Sequence, residues 1–116
     1  MINSVTMVGH VGKDPELHTS ESGVSVVRFP FAYHEYRQQN GERQNITHWF
    51  NCVAFGNLAS ICSEFMHKGA HVAINGNLKQ RTYETKDGEK RSATEIHLRD
   101  VEFLGSKNAE KENRAD

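Results

Sequence analysis

Apolar residues in this chain mostly alternate with polar ones, and the alternation breaks the sequence into short extended runs. Residues 2–11 alternate loosely through Ile2, Val5, Met7, Val8 and Val11. They stop at Gly12-Lys13-Asp14-Pro15, which predicts a first strand closed by a turn. Residues 24–34 hold Val24, Val26, Val27, Phe29, Phe31 and Tyr33, the β-branched and aromatic content of a second strand. Pro30 lies inside that run and has no amide hydrogen for a ladder, so an edge or a bulge is expected there. A polar loop, Glu35 to Asn45, carries the reverse-turn pair Asn40-Gly41, and a third strand is expected from Ile46 to Phe55.

Helical spacing occurs once. Leu58, Ile61, Cys62, Phe65 and Met66 fall at i, i+3, i+4, i+7 and i+8, an apolar stripe over two turns. Asn57 is placed to cap its start, and Gly69 after His67-Lys68 to end it, with positive charge at the negative end of the helix dipole. A fourth strand follows from His71 to Lys79. Arg81 to Glu95 predicts an extended hairpin turning at Asp87-Gly88, and a last strand runs through Ile96, Leu98, Val101 and Phe103. Residues 105–116 contain no large apolar side chain and are expected to be a disordered polar tail. Three strands, one helix and two strands, with a long hairpin between the last two, predict an all-β class. The architecture is a five-stranded Greek-key barrel of the oligonucleotide- and oligosaccharide-binding (OB) type, occupying residues 1–104. An α+β sandwich is the bland competitor.

Composition narrows the function. With 14 Lys plus Arg against 15 Asp plus Glu the net charge is −1, so binding driven by overall positive charge is excluded while a local basic stripe is not. Apolar residues at 36% suffice for one core in a chain of 116 residues. No apolar run reaches the ~20 residues that span a bilayer, and the N-terminus lacks a signal-peptide pattern. Cys52 and Cys62 form no disulfide framework and no metal spacing, which fits a reducing compartment, and the expected location is the cytoplasm.

The third strand carries the most chemistry. On one side of its pleat lie Phe50, Cys52 and Ala54, a core set; on the other lie Trp49, Asn51, Val53 and Phe55. Large rings beside an amide suit a surface on which bases stack, and they equally suit a subunit contact; these residues alone leave both open. Tyr36-Arg37 and Tyr83 within Lys79-Gln80-Arg81-Thr82-Tyr83 add rings beside cations in loops too polar to bury. Residues 79–91 hold Lys79, Arg81, Lys86, Lys90 and Arg91 against three carboxylates, net +2. Composition alone would make that segment an ordinary solvated arm. Four rings converging with cations favour single-stranded nucleic acid, which offers phosphates and unstacked bases together.

Seven histidines are present, but no set of ligands has zinc spacing, so no metal and no cofactor is expected. His10, His34 or His48 near a groove would strengthen binding below about pH 6.5 by charging beside phosphates. No glycine-flanked nucleophile, phosphate-cradling loop or carboxylate pair marks a catalytic site, and no enzyme is expected.

Met7-Val8-Gly9-His10-Val11-Gly12-Lys13-Asp14-Pro15-Glu16, Thr47-His48-Trp49, Val53-Ala54-Phe55-Gly56-Asn57-Leu58-Ala59, Lys68-Gly69 and Ile74-Asn75-Gly76-Asn77-Leu78 resemble the bacterial single-stranded DNA-binding protein family, in order from Met1 to Leu104. The resemblance implies an OB-fold that coats single-stranded DNA without sequence preference during replication, recombination, repair or DNA uptake. It implies a homotetramer, with a dimer as the lesser assembly. Base stacking would fall to Tyr36, Trp49, Phe55 and Tyr83, and phosphate or polar contacts to Arg37, Asn51, Lys68, Lys79, Arg81 and Arg91. Tyr36 and Tyr83 replace tryptophans common in the family, which implies weaker stacking there. The family's acidic terminal tip has no counterpart here, since Lys107, Lys111 and Arg114 balance Glu110, Glu112 and Asp116. A short form is therefore expected, without recruitment of repair enzymes through such a tip. The rival readings are an OB-fold replication-restart or RNA-binding adaptor and a structural oligomerisation domain.

Overall fold

Strands form wherever inward Val, Phe and Ile alternate with outward polar groups. The computed structural model describes residues 1–105. It contains β1 (Val5–Val11), β2 (Glu16–Thr19), β3 (Ser25–Gln39), β4 (Glu42–Phe55), α1 (Gly56–Phe65), β5 (His71–Glu84) and β6 (Lys90–Phe103). The sheet order is β1-β5-β6-β4-β3-β2, and a second pairing of β1 with β3 closes five long strands into a barrel. Among the described residues only the β4–β6 contact is parallel. This is the expected OB-type barrel, with its helix between the third and fourth long strands and with β2 as a short addition on β3. Residues 106–116, most of the expected polar tail, lie outside the described residues.

The core is filled by Val27, Phe29 and Phe31 of β3, Cys52 and Ala54 of β4, Val72 and Ile74 of β5, and Ile96 of β6. Ala59, Cys62 and Met66, from α1 and its end, plug one mouth of the barrel. Fully burying a side chain such as Phe31 contributes about 1.5–3 kcal/mol. Burial also pushes both thiols up: Cys52 to about 12, with Cys62 nearby adding to the effect, and Cys62 to about 11.

Several local expectations need correction. The polar stretch Glu35–Asn45 is not a loop. β3 and β4 pair without interruption to Gln39↔Glu42, around a two-residue turn in which Asn40 (φ 55°) and Gly41 (φ 78°) both adopt left-handed backbone. Such a turn matches the strand twist and prolongs the hairpin, whereas residues solvated on both faces give no apolar alternation to read. Asn57 does not cap α1; the N-cap is Phe55, with no side-chain hydrogen bond. The helix ends at Phe65, and Gly69 (φ 89°) instead turns the chain into β5, its N–H donating to the Val11 carbonyl at 2.7 Å. Val53, grouped by alternation with the surface set, is fully buried under the face it belongs to.

Pro30 sits where β3 changes partner, between the stretch paired with β2 and that paired with β1. Its carbonyl accepts Gly12 N–H at 2.8 Å, so its missing donor faces a gap rather than a ladder. Gly76 is required by crowding. A Cβ there would lie 2.3 Å from the His97 carbonyl oxygen, at the irregularity between β5 and β6.

Candidate nucleic-acid interface

Directly paired residues in a sheet share a face, so the register alone assembles a surface on the outside of the barrel. On β4 that face carries Trp49, Asn51, Val53 and Phe55, opposite Ala32, Pro30, Arg28 and Val26 of β3. Across the parallel contact Asn51 meets Glu95 and Val53 meets His97. β5 then adds Asn77, Lys79, Arg81 and Tyr83, opposite His97, Glu95, Ala93 and Arg91. Along the β3–β4 arm the same face continues through His34, Thr47, Tyr36 and Arg43.

Rings stand out of this face. Trp49 is 60% exposed and Tyr36 59%, far from the burial expected of core aromatics. The Trp49 ring lies over Gly12, where a Cβ would come within 2.6 Å of Cζ3, so only glycine lets the indole lie down there. Phe55 packs edge-on against His97 at 5.3 Å between centroids. The Arg43 guanidinium covers the Tyr36 ring at 4.3 Å, and that of Arg81 lies 5.5 Å from the Tyr83 ring. Each tyrosine thus pairs a flat π surface with a cation, the combination that binds base and phosphate together.

The electrostatic centre is Glu95. Its side chain is 5% exposed although it occupies an outward position. It accepts from Arg28 Nη1 at 2.5 Å, the Arg81 Nε charge stands 3.4 Å away, and His97 Nε2 lies at 3.3 Å. Burial alone would raise its pKa; the His97 and Arg28 hydrogen bonds and the Arg28 and Arg81 charges outweigh that and hold it below the usual carboxylate range. Around it opens a depression of about 300 Å³, lined in part by Arg28, Pro30, Asn51 and Arg81. Both arginine side chains remain half exposed and keep further N–H donors for an anion.

Of the residues singled out from sequence, Tyr36, Trp49, Phe55, Tyr83, Asn51, Lys79, Arg81 and Arg91 share this face. Arg91 is partly offset by Glu89 at 3.1 Å. Arg37 is turned to the other face of the arm, where it pairs with Glu35 at 3.5 Å beside His48. Lys68 lies off the sheet, on the loop after α1, its N–H bonded to Asp14 Oδ1 at 2.7 Å. Sequence reasoning missed Arg28, Arg43, Glu95 and His97. Arg28 had a visible signal, a lone charge within the apolar run Val26-Val27-Arg28-Phe29. Glu95 had only part of one: the hairpin expected from Arg81 to Glu95 brings Arg81 near it, but only the β4–β6 contact brings Arg28. Among the described residues no group of three His, Cys, Asp or Glu has metal-holding geometry, and no helix is long and apolar enough to cross a membrane.

Comparison with known proteins gives a consistent result. The model of the single-strand binding protein family matches residues 2–104. Single-stranded DNA-binding protein 1 of Chlorobaculum tepidum is 42% identical over 110 residues, covering 93% of this chain and 68% of that protein. Single-stranded DNA-binding protein 1 of Staphylococcus aureus is 37% identical over 111 residues, covering 95% of this chain and 65% of that one. The chain thus spans about two thirds of the length of these curated relatives. Among solved structures, the Plasmodium falciparum SSB complex with ssDNA aligns with a TM-score of 0.82 at 28% identity, over 90% of this chain and 96% of that one.

Proposed function

The chain belongs to the single-strand binding protein family, and from that premise we propose that it coats single-stranded DNA without sequence preference and without catalysis. The observation that carries this is the continuous outward face, on which four exposed rings alternate with Arg28, Arg43, Lys79 and Arg81. Bases stack on Tyr36, Trp49, Phe55 and Tyr83, while the cations and Asn51 meet phosphates and base edges. Stacking accepts any base because every base has a π face, and phosphate contacts carry no sequence information. Arg91 contributes in competition with Glu89. Arg37 and Lys68 contribute only if the strand wraps beyond the sheet. Coating of this kind serves replication, recombination, repair or DNA uptake, in the cytoplasm and on the nucleoid.

Assembly as a homotetramer is part of the same reading. The β1–β3 pairing covers only His10 and Val11 of β1, which leaves one edge of Val5–Gly9 unpaired and suited to another copy of the chain.

The test uses Trp49, the only tryptophan. Titration with a thymidine homopolymer should quench its fluorescence strongly, and rising salt should weaken binding without abolishing it. A folded protein whose Trp49 emission is unmoved by the homopolymer at low salt would refute the reading. A matched ribo-oligomer that competes better than the DNA would replace it with the RNA-binding alternative.

A further inference from the structure

At the end of the face beyond Trp49, four strands place a row of side chains across the barrel. The register sets Trp49 opposite Ala32, Ala32 opposite His10, and His10 opposite His71. The His10 and His71 rings are stacked, with centroids 4.8 Å apart and planes inclined by 16°. His34, two residues from Ala32 on β3, brings a third ring to 5.5 Å from His10. His34 Nδ1 lies 3.1 Å from Thr47 Oγ1 on β4. In the register, Ala32 stands between this cluster and Trp49.

Three imidazoles in contact repel one another once charged, and among the described residues none of the three is paired with a carboxylate. The groups acting on His10 are His71 from β5 and His34 from β3; from β4 the neighbour is the neutral Thr47 hydroxyl. Burial first, then those two histidines, push the His10 pKa below its ordinary value. Of the two carboxylates on this arm, Glu35 is engaged by His48 on the opposite face and Glu42 stands at the distal turn. His10 Nδ1 is moreover buried without a hydrogen-bond partner, the one such side-chain atom found among the described residues. Metal binding does not explain the cluster, because chelation needs converging lone pairs and two of these rings lie nearly parallel. A neutral cluster without a counter-charge fits a ligand that brings negative charge with it. Beside Trp49, that ligand is a phosphodiester of the bound strand.

We propose that His10, His34 and His71 form a proton-coupled phosphate subsite that extends the DNA path past Trp49. The proposal rests on the reading of the outward face as the single-stranded DNA surface. A phosphate close to the cluster favours the imidazolium form, so binding draws in a proton, which the three rings share as a unit. Burial and its two histidine neighbours hold the free His10 ring neutral at neutral pH, and affinity therefore rises as pH falls through the histidine range. One captured proton with a pKa raised by about one unit strengthens binding about tenfold.

The test measures anisotropy of a labelled thymidine homopolymer with the full chain, at about pH 8 and about pH 6 and constant ionic strength. Wild type should bind about tenfold tighter at the lower pH, with the slope of log affinity against log salt steeper there by about 0.7. His10→Asn with His71→Asn should lose most of that ratio, and His34→Gln and His71→Asn should each lose part of it. His97→Gln, which removes the histidine beside Phe55, should keep it. Circular dichroism checks that each variant is folded, and the single variants decide the matter where the double one is not. A wild-type ratio near one, a ratio undiminished in the folded cluster variants, or a ratio abolished by His97→Gln alone would overturn the subsite. Binding at about pH 8 with no pH dependence overturns the subsite only, whereas absence of binding at every pH overturns the DNA-binding reading itself.

Discussion

Neutralising Glu95 tests the electrostatics of the whole face in one substitution. Glu95→Gln keeps the shape of the side chain, removes its charge and sets an amide donor where an acceptor stood, so either Arg28 and Arg81, which share Oε2, or His97, at Oε1, lose their acceptor. Removing one member of a buried ion pair costs about 3–5 kcal/mol when the other charge stays buried. Here the arginine side chains are 51% and 52% exposed and rehydrate. The cost therefore falls nearer the ~1–3 kcal/mol of a lost charged hydrogen bond. About 2 kcal/mol in a domain of this size lowers the melting temperature by roughly 10 °C. The sign with pH follows from the depressed carboxyl. Its stabilisation is present above the unfolded value and is lost as pH falls through the folded one. Thermal melts should show the full gap between variant and wild type near pH 7 and its closure below about pH 4. Freed from the carboxylate, the two guanidiniums should meet phosphates more fully and steepen the salt dependence of DNA binding by up to about 0.7. Equal stability at pH 7, or a gap that persists unchanged at about pH 3, would refute this reasoning.

Four further outcomes are expected. Trp49→Ala should weaken DNA binding by about 1–3 kcal/mol, read by anisotropy of a labelled oligomer, and unchanged affinity would count against the site. Lys79→Ala and Arg81→Ala should each flatten the salt slope by roughly 0.7, so a steep slope surviving both would move the strand path elsewhere. Gly76→Ala should unfold the barrel or lower its melting temperature severely, because the added Cβ meets backbone that has nowhere to go. With thiol pKa values pushed to about 12 and about 11, Cys52 and Cys62 should resist a thiol reagent at pH 8 until denaturant is added; fast labelling of the native protein would contradict their burial.

The arm of the β3–β4 hairpin shows why some elements were harder to read than others. Val26 to Phe31 announce a strand because one face must leave water, and that requirement writes itself as alternation. From Glu35 to Asn45 neither face is buried in the core, so the ladder is held by backbone pairing and the Asn40-Gly41 turn, and side-chain identity carries little trace of it. Arg37 illustrates the consequence. Placed in a loop, it could point anywhere; placed in a strand, it is bound to the face opposite Tyr36, where Glu35 holds it.

What the sequence by itself determined were the features set by local chemistry. These include the strand periods, the single amphipathic helix, the turns at Asn40-Gly41 and Asp87-Gly88, and four rings too exposed in pattern to be core. Order along the chain was enough to suggest the barrel, since a helix between the third and fourth long strands leaves few closures open. Tertiary structure alone decided which distant residues meet. Closure through β1–β3 and the parallel β4–β6 contact set Glu95 beneath Arg28, 67 residues away in sequence, whereas Arg81 reaches it across the β5–β6 hairpin. The same closure gathered His10, His34 and His71 beside Trp49. Burial, ion pairing and depressed basicity depend on distance in space, and strands far apart in the chain acquire that distance only when the sheet closes.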